Sequence, residues 1–588
     1  MTRISGIYRY PIKGFGAQRL QEVALSPGAG VPFDRFLGVA HGGIDIAPEG
    51  WTTYNAFVRL AKNPRLLGFG IAFEDDSTRI TLSDRAGHTA TAQLDAPEEM
   101  AALNQQLAQW FPDTPAPPRL ARRHADLGWW DCADSPISLI NTASALSLEP
   151  KAGQAVDPIR FRGNLYLEDL PAWEEFAYIG HRLRIGAAEL EVLRPMERCS
   201  ATSADPETGL AGLNVPALLG RAEGHLFCGL YAQVVRAGRV RAGDRVEVLA
   251  PDPRIWQLGA VYAEAPPVPK WPRPAEVIET RAESVDVTSL WLRDPAAGTR
   301  GALLPGQHVR VHLGGAEAVP LWRSYTVSGL RDGLLRLSVK AQGRVSTRLS
   351  ALAPGEAVVI SGPYGEFTLP EEVDRPLVFI SAGIGITPMA AMLEAAEDRA
   401  VHVLHTARSG SRLALWSEIR AQAPDARLFL TQPGADAPAH EAGRIPDTAL
   451  SALPLAEAVC FLCGPVPFME EMRARLLALG AQDIRHEVFA TPADTPLEMR
   501  PIPEPGPFRV SFGAGESTWQ AGDGTLLEFG EGAGVKLASN CRSGVCGACK
   551  VKLRSGAVAH LLDAPFPLAP DDVLTCCAVP LGDVRLEA

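Results

Sequence analysis

Cys541, Cys546 and Cys549 stand as C-x4-C-x2-C in the stretch CRSGVCGACK, and VLTCCAVP follows with Cys576 and Cys577. That spacing suits four thiolates converging on a [2Fe-2S] cluster. The intervening glycines let the backbone wrap closely with N–H groups turned towards sulfur. Zinc is the alternative, but zinc knuckles usually carry two C-x2-C pairs and this region carries one. A second cysteine invites chemistry for a different reason. Cys199, in RPMERCSATSADPETG, has no cysteine near it, but Arg194, Arg198, Asp205 and Glu207 crowd it and DPETG reads as a turn. A lone cysteine is usually an inert core thiol. A thiol beside two arginines is instead expected to have a lowered pKa and to suit a soft metal. Cys132 and Cys228 lack such company and read as core thiols, as does Cys577.

A third group of motifs points to nucleotides. RSYTVS (Arg323–Ser328) precedes a strand-like LLRLSVK and then GRVSTRL. A flavin needs an aromatic face, hydroxyls for its ring edge and an arginine for its pyrophosphate. Taken alone, the hexapeptide could equally be an ordinary strand. AGIGITP (Ala382–Pro388) follows an apolar run and opens a helical stretch, where backbone N–H groups can cradle a diphosphate. It carries Pro388 where the third glycine of G-x-G-x-x-G would stand, so it is a weak general dinucleotide signature. FLCGPVPFM and HEVF follow it.

The elements that must position these residues change character along the chain. Its 588 residues exceed one core, and a net charge of -12 argues against a binder that works by neutralising phosphates. Ten cysteines, with no apolar run behind MTRISGIYRYPIKG, predict a reducing, cytoplasmic setting and metal or redox chemistry rather than disulfides. PLVFISAGIGITPMAAML is long enough to span a membrane, but Gly383, Gly385 and Pro388 favour a strand, a turn and a helix start. Residues 1–250 alternate in short strands with Gly/Asp turns, and 275–370 read as all-β. Residues 372–490 alternate apolar runs with helical stretches, which predicts a parallel α/β sheet. Proline-rich segments at 264–276 and 491–507 read as linkers.

Taken in order, these motifs carry family resemblances. Residues 507–588 resemble plant-type ferredoxins, which implies Cys541, Cys546, Cys549 and Cys576 as cluster ligands. Residues 275–490 resemble the ferredoxin-NADP reductase superfamily. This implies that Arg323, Tyr325, Thr326 and Ser328 hold the flavin, with Val345 and Ser346 near its phosphates and Phe489 stacked on it. It also places Gly383, Gly385, Thr387, Pro388, Cys463, Gly464 and Pro465 around the nicotinamide nucleotide. GRVS is similar to flavohaemoglobin reductases, favouring FAD over FMN. Arg408 and Arg412 could meet a 2′-phosphate but read more simply as solvated arginines, so NADH is preferred to NADPH.

YPIKGF, PFDRFLGVA, DSPISLINTASAL, RFRGNLYLED, ERCSATSADPETG and VRAGDRVEV occur in the order found in MOSC-domain proteins. They resemble the mitochondrial amidoxime-reducing component and its bacterial relatives, which bind molybdenum cofactor. The resemblance implies Cys199 as the molybdenum ligand and catalytic residue. Lys13, Arg35, Ser135, Arg162, Asn164, Arg198 and Thr202 then hold the pterin cofactor. Gly14, Gly163 and Asp134 depart from the family pattern, and Arg35, Arg162 or Lys13 taken singly could be ordinary surface or capping residues.

The expected fold is therefore multidomain: a MOSC N-terminal β domain (1–98), a MOSC β-barrel (99–252) and a linker (253–274). An FAD-binding antiparallel β-barrel (275–371), an α/β NAD(P)-binding domain (372–490), a linker (491–506) and a β-grasp ferredoxin (507–588) follow. The expected function is a self-contained reductase. It passes electrons from NAD(P)H through FAD and [2Fe-2S] to molybdenum and reduces an N-hydroxylated or other N-oxygenated small molecule, with no external donor. Two alternatives stand beside it. In one the cluster feeds a separate oxygenase with the MOSC part as a docking unit; in the other that part is a carrier of molybdenum cofactor.

Overall fold

Alternating apolar residues punctuated by turn glycines form strands throughout the computed structural model. RLRIGAAELEVL shows how: His181–Ile185 and Ala188–Glu197 pair antiparallel, with Ile185 opposite Ala188. Gly186 turns the chain at φ +56°, where a side chain would also meet the Arg239 carbonyl at 2.5 Å. The structure describes all residues except 45, 47–51, 53–55, 77, 113, 115, 125–126, 133–135, 211, 253, 256–270, 298–302, 314–321, 366, 371–373, 397–398, 436, 488–505, 514, 536, 539–548, 562–567 and 588. Two compact units emerge: Met1–Glu264 with Gly314–Leu321 and Pro492–Ala588, and Ala265–Leu313 with Trp322–Thr491.

In the first unit an eight-stranded sheet runs in the order Val246–Pro251, His181–Ile185, Ala188–Glu197, Phe227–Arg236, Ile137–Asn141, Leu165–Glu168, Arg3–Arg9, Gln18–Leu20. Arg3–Arg9 is antiparallel to Leu165–Glu168, and the helix Pro97–Trp110 runs through position 98. Residues on both sides of that position thus share one fold. Ile12, Phe15, Phe36, Leu37, Leu66 and Phe111 form a common core, which pins the segment carrying Lys13. The C-terminal part of the unit has a five-stranded sheet beside the helix Leu526–Gly532. Thr525 and Glu528 cap that helix reciprocally, with Thr525 N–H donating to Glu528 Oε2 at 2.8 Å. Trp519, Leu526, Phe529 and Val579 fill its core.

In the second unit six strands close a barrel in the order Arg273–Ser284, Val287–Arg293, Leu334–Lys340, Trp322–Arg331, His308–His312, Ala357–Tyr364. Inward residues such as Val277, Leu290, Val311, Val327 and Leu337 fill it. The rest is a parallel sheet ordered Glu441–Ala442, Arg427–Leu430, Val401–Ala407, Leu377–Ala382, Val459–Cys463, Asp483–His486. The span-like stretch resolves into the buried strand Leu377–Ala382, the turn Gly383–Gly385 and the helix Ile386–Glu394. Among the described residues no helix is long and apolar enough to cross a membrane.

Candidate functional site

Strand Arg3–Arg9 leads into Tyr10, whose backbone N–H donates to Asp34 Oδ1 at 2.8 Å and whose ring is fully buried. Two guanidinium groups lie over that ring, Arg35 at 4.6 Å and Arg162 at 4.3 Å from its centroid. Both arginines have left-handed backbones, φ +53° and +54°, a conformation that costs energy unless its surroundings impose it. Arg35 donates from its backbone to Tyr10 O (2.6 Å), from Nη1 to Asp34 Oδ2 (2.5 Å) and from Nη2 to Arg162 O (2.9 Å). Arg162 Nη2, by contrast, is buried with no hydrogen-bond partner among the described residues, as are Arg160 Nε and Nη1. Burial, with Arg35 nearby, brings the Arg162 pKa down to about 10. Leaving buried guanidinium N–H groups unmet is costly, and an anion would relieve that cost.

Lys13 is buried and donates to Trp129 O at 2.7 Å and to Asp131. Burial works to raise the Asp131 pKa, but Lys13, Arg35 and Arg162 together hold it below the usual carboxylate range. Asp131 in turn acts on Cys199, so Lys13, Arg35, Arg162 and Cys199 belong to one electrostatic cluster. Cys199 follows the strand Ala188–Glu197 and opens the turn Ser200–Ser203, with Thr202 donating to its carbonyl from N (3.1 Å) and Oγ1 (2.8 Å). Its residue surface is exposed.

The expectation of an acidified thiol is corrected here. Surrounding protein raises the Cys199 pKa, Asp131 adds to the rise, and Arg198 does not offset them. The arginines are occupied elsewhere. Arg198 is buried and donates to Cys228 O (2.7 Å) and Phe161 O (3.0 Å), while Arg194 lies 4.8 Å over the Tyr231 ring. Asn164 is likewise engaged within the protein: Oδ1 accepts from Ser138 N (3.1 Å) and Oγ (2.8 Å), and Nδ2 donates to Tyr8 O (3.2 Å). It positions strands, and Arg162 two residues earlier carries the open donor. Ser135 and Asp134 lie outside the described residues. Tyr10, Asp131 and Arg160 were not picked out from the sequence. Tyr10 and Arg160 stood inside quoted motifs (YPIKGF, RFRGN), so only their packing was hidden.

In the second unit the sheet order reverses between Leu377–Ala382 and Val459–Cys463, which pair parallel with Ser381 opposite Cys463. Ligands of open α/β sheets bind outside the carboxyl ends of strands at such a reversal. A Cβ on Gly385 would stand 2.3 Å from Cys463 O, so glycine is required for the two loops to meet. Thr387 Oγ1 closes the turn onto Ile384 O at 3.1 Å, Pro388 is buried in the helix, and Pro465 precedes the helix Val466–Ala478. A cavity of about 510 Å³ opens here, lined by Gly383, Pro465, Arg408 and Arg412 among others. Arg412 pairs with Asp286 at 2.5 Å. Cys463 is buried, which pushes its thiol pKa up, with Glu487 adding to the rise. Glu487 lies 3.0 Å from His308 Nδ1. Neither residue was anticipated, although Glu487 is the second residue of HEVF. Phe489 lies outside the described residues.

On the barrel, Tyr325 is partly buried and its pKa is pushed up to about 12 by burial. Thr326 Oγ1 is buried without a partner among the described residues, a hydroxyl available to a ligand. Arg323 donates to Trp322 O at 2.8 Å. Ser328 is occupied by Ser338 Oγ (2.8 Å), and Ser346 Oγ accepts from Gly343 N (2.9 Å) to start the helix Arg344–Ser350, in which Val345 is buried.

Of the four cysteines expected at the cluster, Cys549 and Cys576 are described and buried, and Cys541 and Cys546 lie outside the described residues. Thr575, beside Cys576, donates to Cys549 O from N (3.2 Å) and Oγ1 (3.0 Å), which ties these two cysteine segments together. Cys577 Sγ donates to Leu574 O at 3.6 Å.

Family models match in the same order: MOSC domain at 116–247, oxidoreductase FAD-binding domain at 274–369, oxidoreductase NAD-binding domain at 379–474, and 2Fe-2S iron-sulfur cluster binding domain at 513–581. The stachydrine N-demethylase reductase subunit of Rhizobium meliloti is 31% identical over 54% of this chain and 96% of its own length. The chain belongs to this family of flavin and [2Fe-2S] reductases. An NADPH oxidoreductase of Mycobacterium tuberculosis is 30% identical over 53% of the chain and 83% of its own length. The FAD/NAD-binding domain of a Vibrio cholerae nitric oxide dioxygenase is 29% identical, with a TM-score of 0.34 over 37% of this chain and 98% of its own. This member of the reductase family is an NAD(P)H-dependent oxidoreductase with flavin, nicotinamide and [2Fe-2S] domains, fused to a MOSC domain.

Proposed function

We propose that the fused MOSC domain is the terminus of this electron supply, and that it reduces N-hydroxylated or other N-oxygenated compounds through a molybdenum cofactor. The overall reaction balances as R–NHOH + NAD(P)H + H⁺ → R–NH₂ + NAD(P)⁺ + H₂O. The observation carrying the proposal is the buried, unpartnered Nη2 of Arg162 beside Arg35, in the cluster that contains the solvent-open Cys199. This donor set suits an anionic group presenting a soft metal to a thiol.

When bound, the pterin cofactor supplies oxygen-atom transfer, the flavin exchanges hydride for single electrons, and the cluster carries them singly. Arg35 and Arg162 would hold the anionic end of the pterin cofactor, Lys13 braces Asp131, and Cys199 would be the thiolate ligand of the metal. Cys463, Gly464 and Gly385 shape the nicotinamide crevice. Tyr325 and Thr326 would bind the flavin, while Cys541, Cys546, Cys549 and Cys576 would hold the cluster.

Cys199→Ser should lower NAD(P)H-driven reduction of benzamidoxime by roughly 100-fold or more, since even outer-shell changes at metal sites cost about 10–100-fold. Reduction of ferricyanide should be unchanged. Full benzamidoxime activity in the variant would refute the ligand assignment. The relative named as a reductase subunit of an N-demethylase favours a second reading, in which the cluster feeds a separate oxygenase. Protein from a cofactor-competent host that contains iron but no molybdenum would select that reading.

A further inference from the structure

The segment spanning residues 60–68, which ends in the short helix Pro64–Gly68, belongs to no quoted motif, yet it packs against both the Lys13 segment and the turn that follows Cys199. Gly14 adjoins Lys13, and a Cβ on it would stand 3.0 Å from Leu66 Cδ1 and 3.5 Å from the Leu60 nitrogen. On its other side, Gly209 closes the DPETG turn after Cys199, and a Cβ there would lie 3.1 Å from Pro64 O. Arg85 reinforces that turn by donating to the carbonyls of Glu207 (3.3 Å) and Thr208.

From this loop Lys62 reaches the ferredoxin region, its Nζ 3.2 Å from Asp523 Oδ1. Asp523 is aimed before it meets Lys62. Its Oδ2 accepts from Gln520 N at 2.9 Å, its own N–H donates to Gln520 O at 2.8 Å, and its side chain is 14% exposed. The neighbouring Gly524 carbonyl accepts from the indole of fully buried Trp519 at 2.9 Å. The carboxylate is therefore fixed to the ferredoxin core, while the Lys62 backbone donates to Arg59 O at 3.1 Å at the head of the 60–68 segment. Isolated surface pairs contribute little to stability, but complementary charges set encounter rate and register.

We propose that Lys62 and Asp523 form the docking contact at which the ferredoxin region delivers electrons to the Cys199 cluster. The delivery rests on the function proposed above. Each turnover takes two electrons from NAD(P)H, passed singly, and with two protons these break the substrate N–O bond and release water.

Two measurements on the full-length holoprotein test this. Carbodiimide treatment at low ionic strength should yield a Lys62–Asp523 amide in peptide mass spectra, lost at high salt. Absence of that peptide at low salt would overturn the contact. Lys62→Glu should slow benzamidoxime reduction about tenfold, leave NAD(P)H-driven cytochrome c reduction unchanged, and be rescued by adding Asp523→Lys. An unchanged rate in the single variant, or no rescue in the double, would also overturn it. If the wild-type protein reduces no N-oxygenated probe, the proposed function fails while the cross-link still decides the docking.

Discussion

His405 is fully buried, within 2.8 Å of Ser381 Oγ and stacked on Trp416. Burial brings its pKa down from 6.5 to about 4. Below pH 6.5 the unfolded chain binds a proton that the folded protein refuses, so stability is intact above that pH and falls as pH drops towards 4. The loss over this window is on the order of 3 kcal/mol. Denaturant unfolding followed between these limits should show the slope, and His405→Phe should flatten it. An unchanged slope in the variant would place the pH sensitivity elsewhere. The same scale shows what a sequence hides. Residue types near Cys199 were legible, but not the direction in which Arg194 and Arg198 point. One stacks on Tyr231 and the other is bound to carbonyls, and the pull of Arg198 on the thiol is outweighed by burial. Asp131 does the opposite, and no motif singled it out.

Among the elements, the best-marked were those whose purpose is tight backbone geometry. AGIGITP and CGPVP were legible because glycines and prolines at strand ends have few other uses. Which strands they terminate was not, because parallel neighbours are chosen by crossover topology rather than by local pattern. The packing of Gly385 onto Cys463 is the outcome, and it can be tested. Gly385→Ala should separate the two loops and lower turnover with NAD(P)H about tenfold to a hundredfold, since small misplacements of reacting groups cost this much. The cluster absorbance should be retained. A variant with native kinetics would mean that the loops move apart without consequence.

For the whole molecule, the order of modules could be read from motifs, whereas the single sheet joining residues 3–9 to 165–168 could not, because pairing at that separation leaves no local trace. Two compact units, one of them containing the FAD-binding barrel, predict at least two thermal transitions in calorimetry. Added FAD should raise only the transition of that unit, by about 2.7 kcal/mol at a hundredfold excess over Kd. A single transition, or a uniform shift, would show the units to be thermodynamically one. The Arg3–Arg9 strand also has a meaning in time. It leaves the ribosome well before its partner Leu165–Glu168. Lys13 therefore takes its final place only after Trp129 and the paired strand have been synthesised. Through that interval the nascent strand has its Gln18–Leu20 neighbour on one edge and an open edge on the other, where wrong pairing is a hazard.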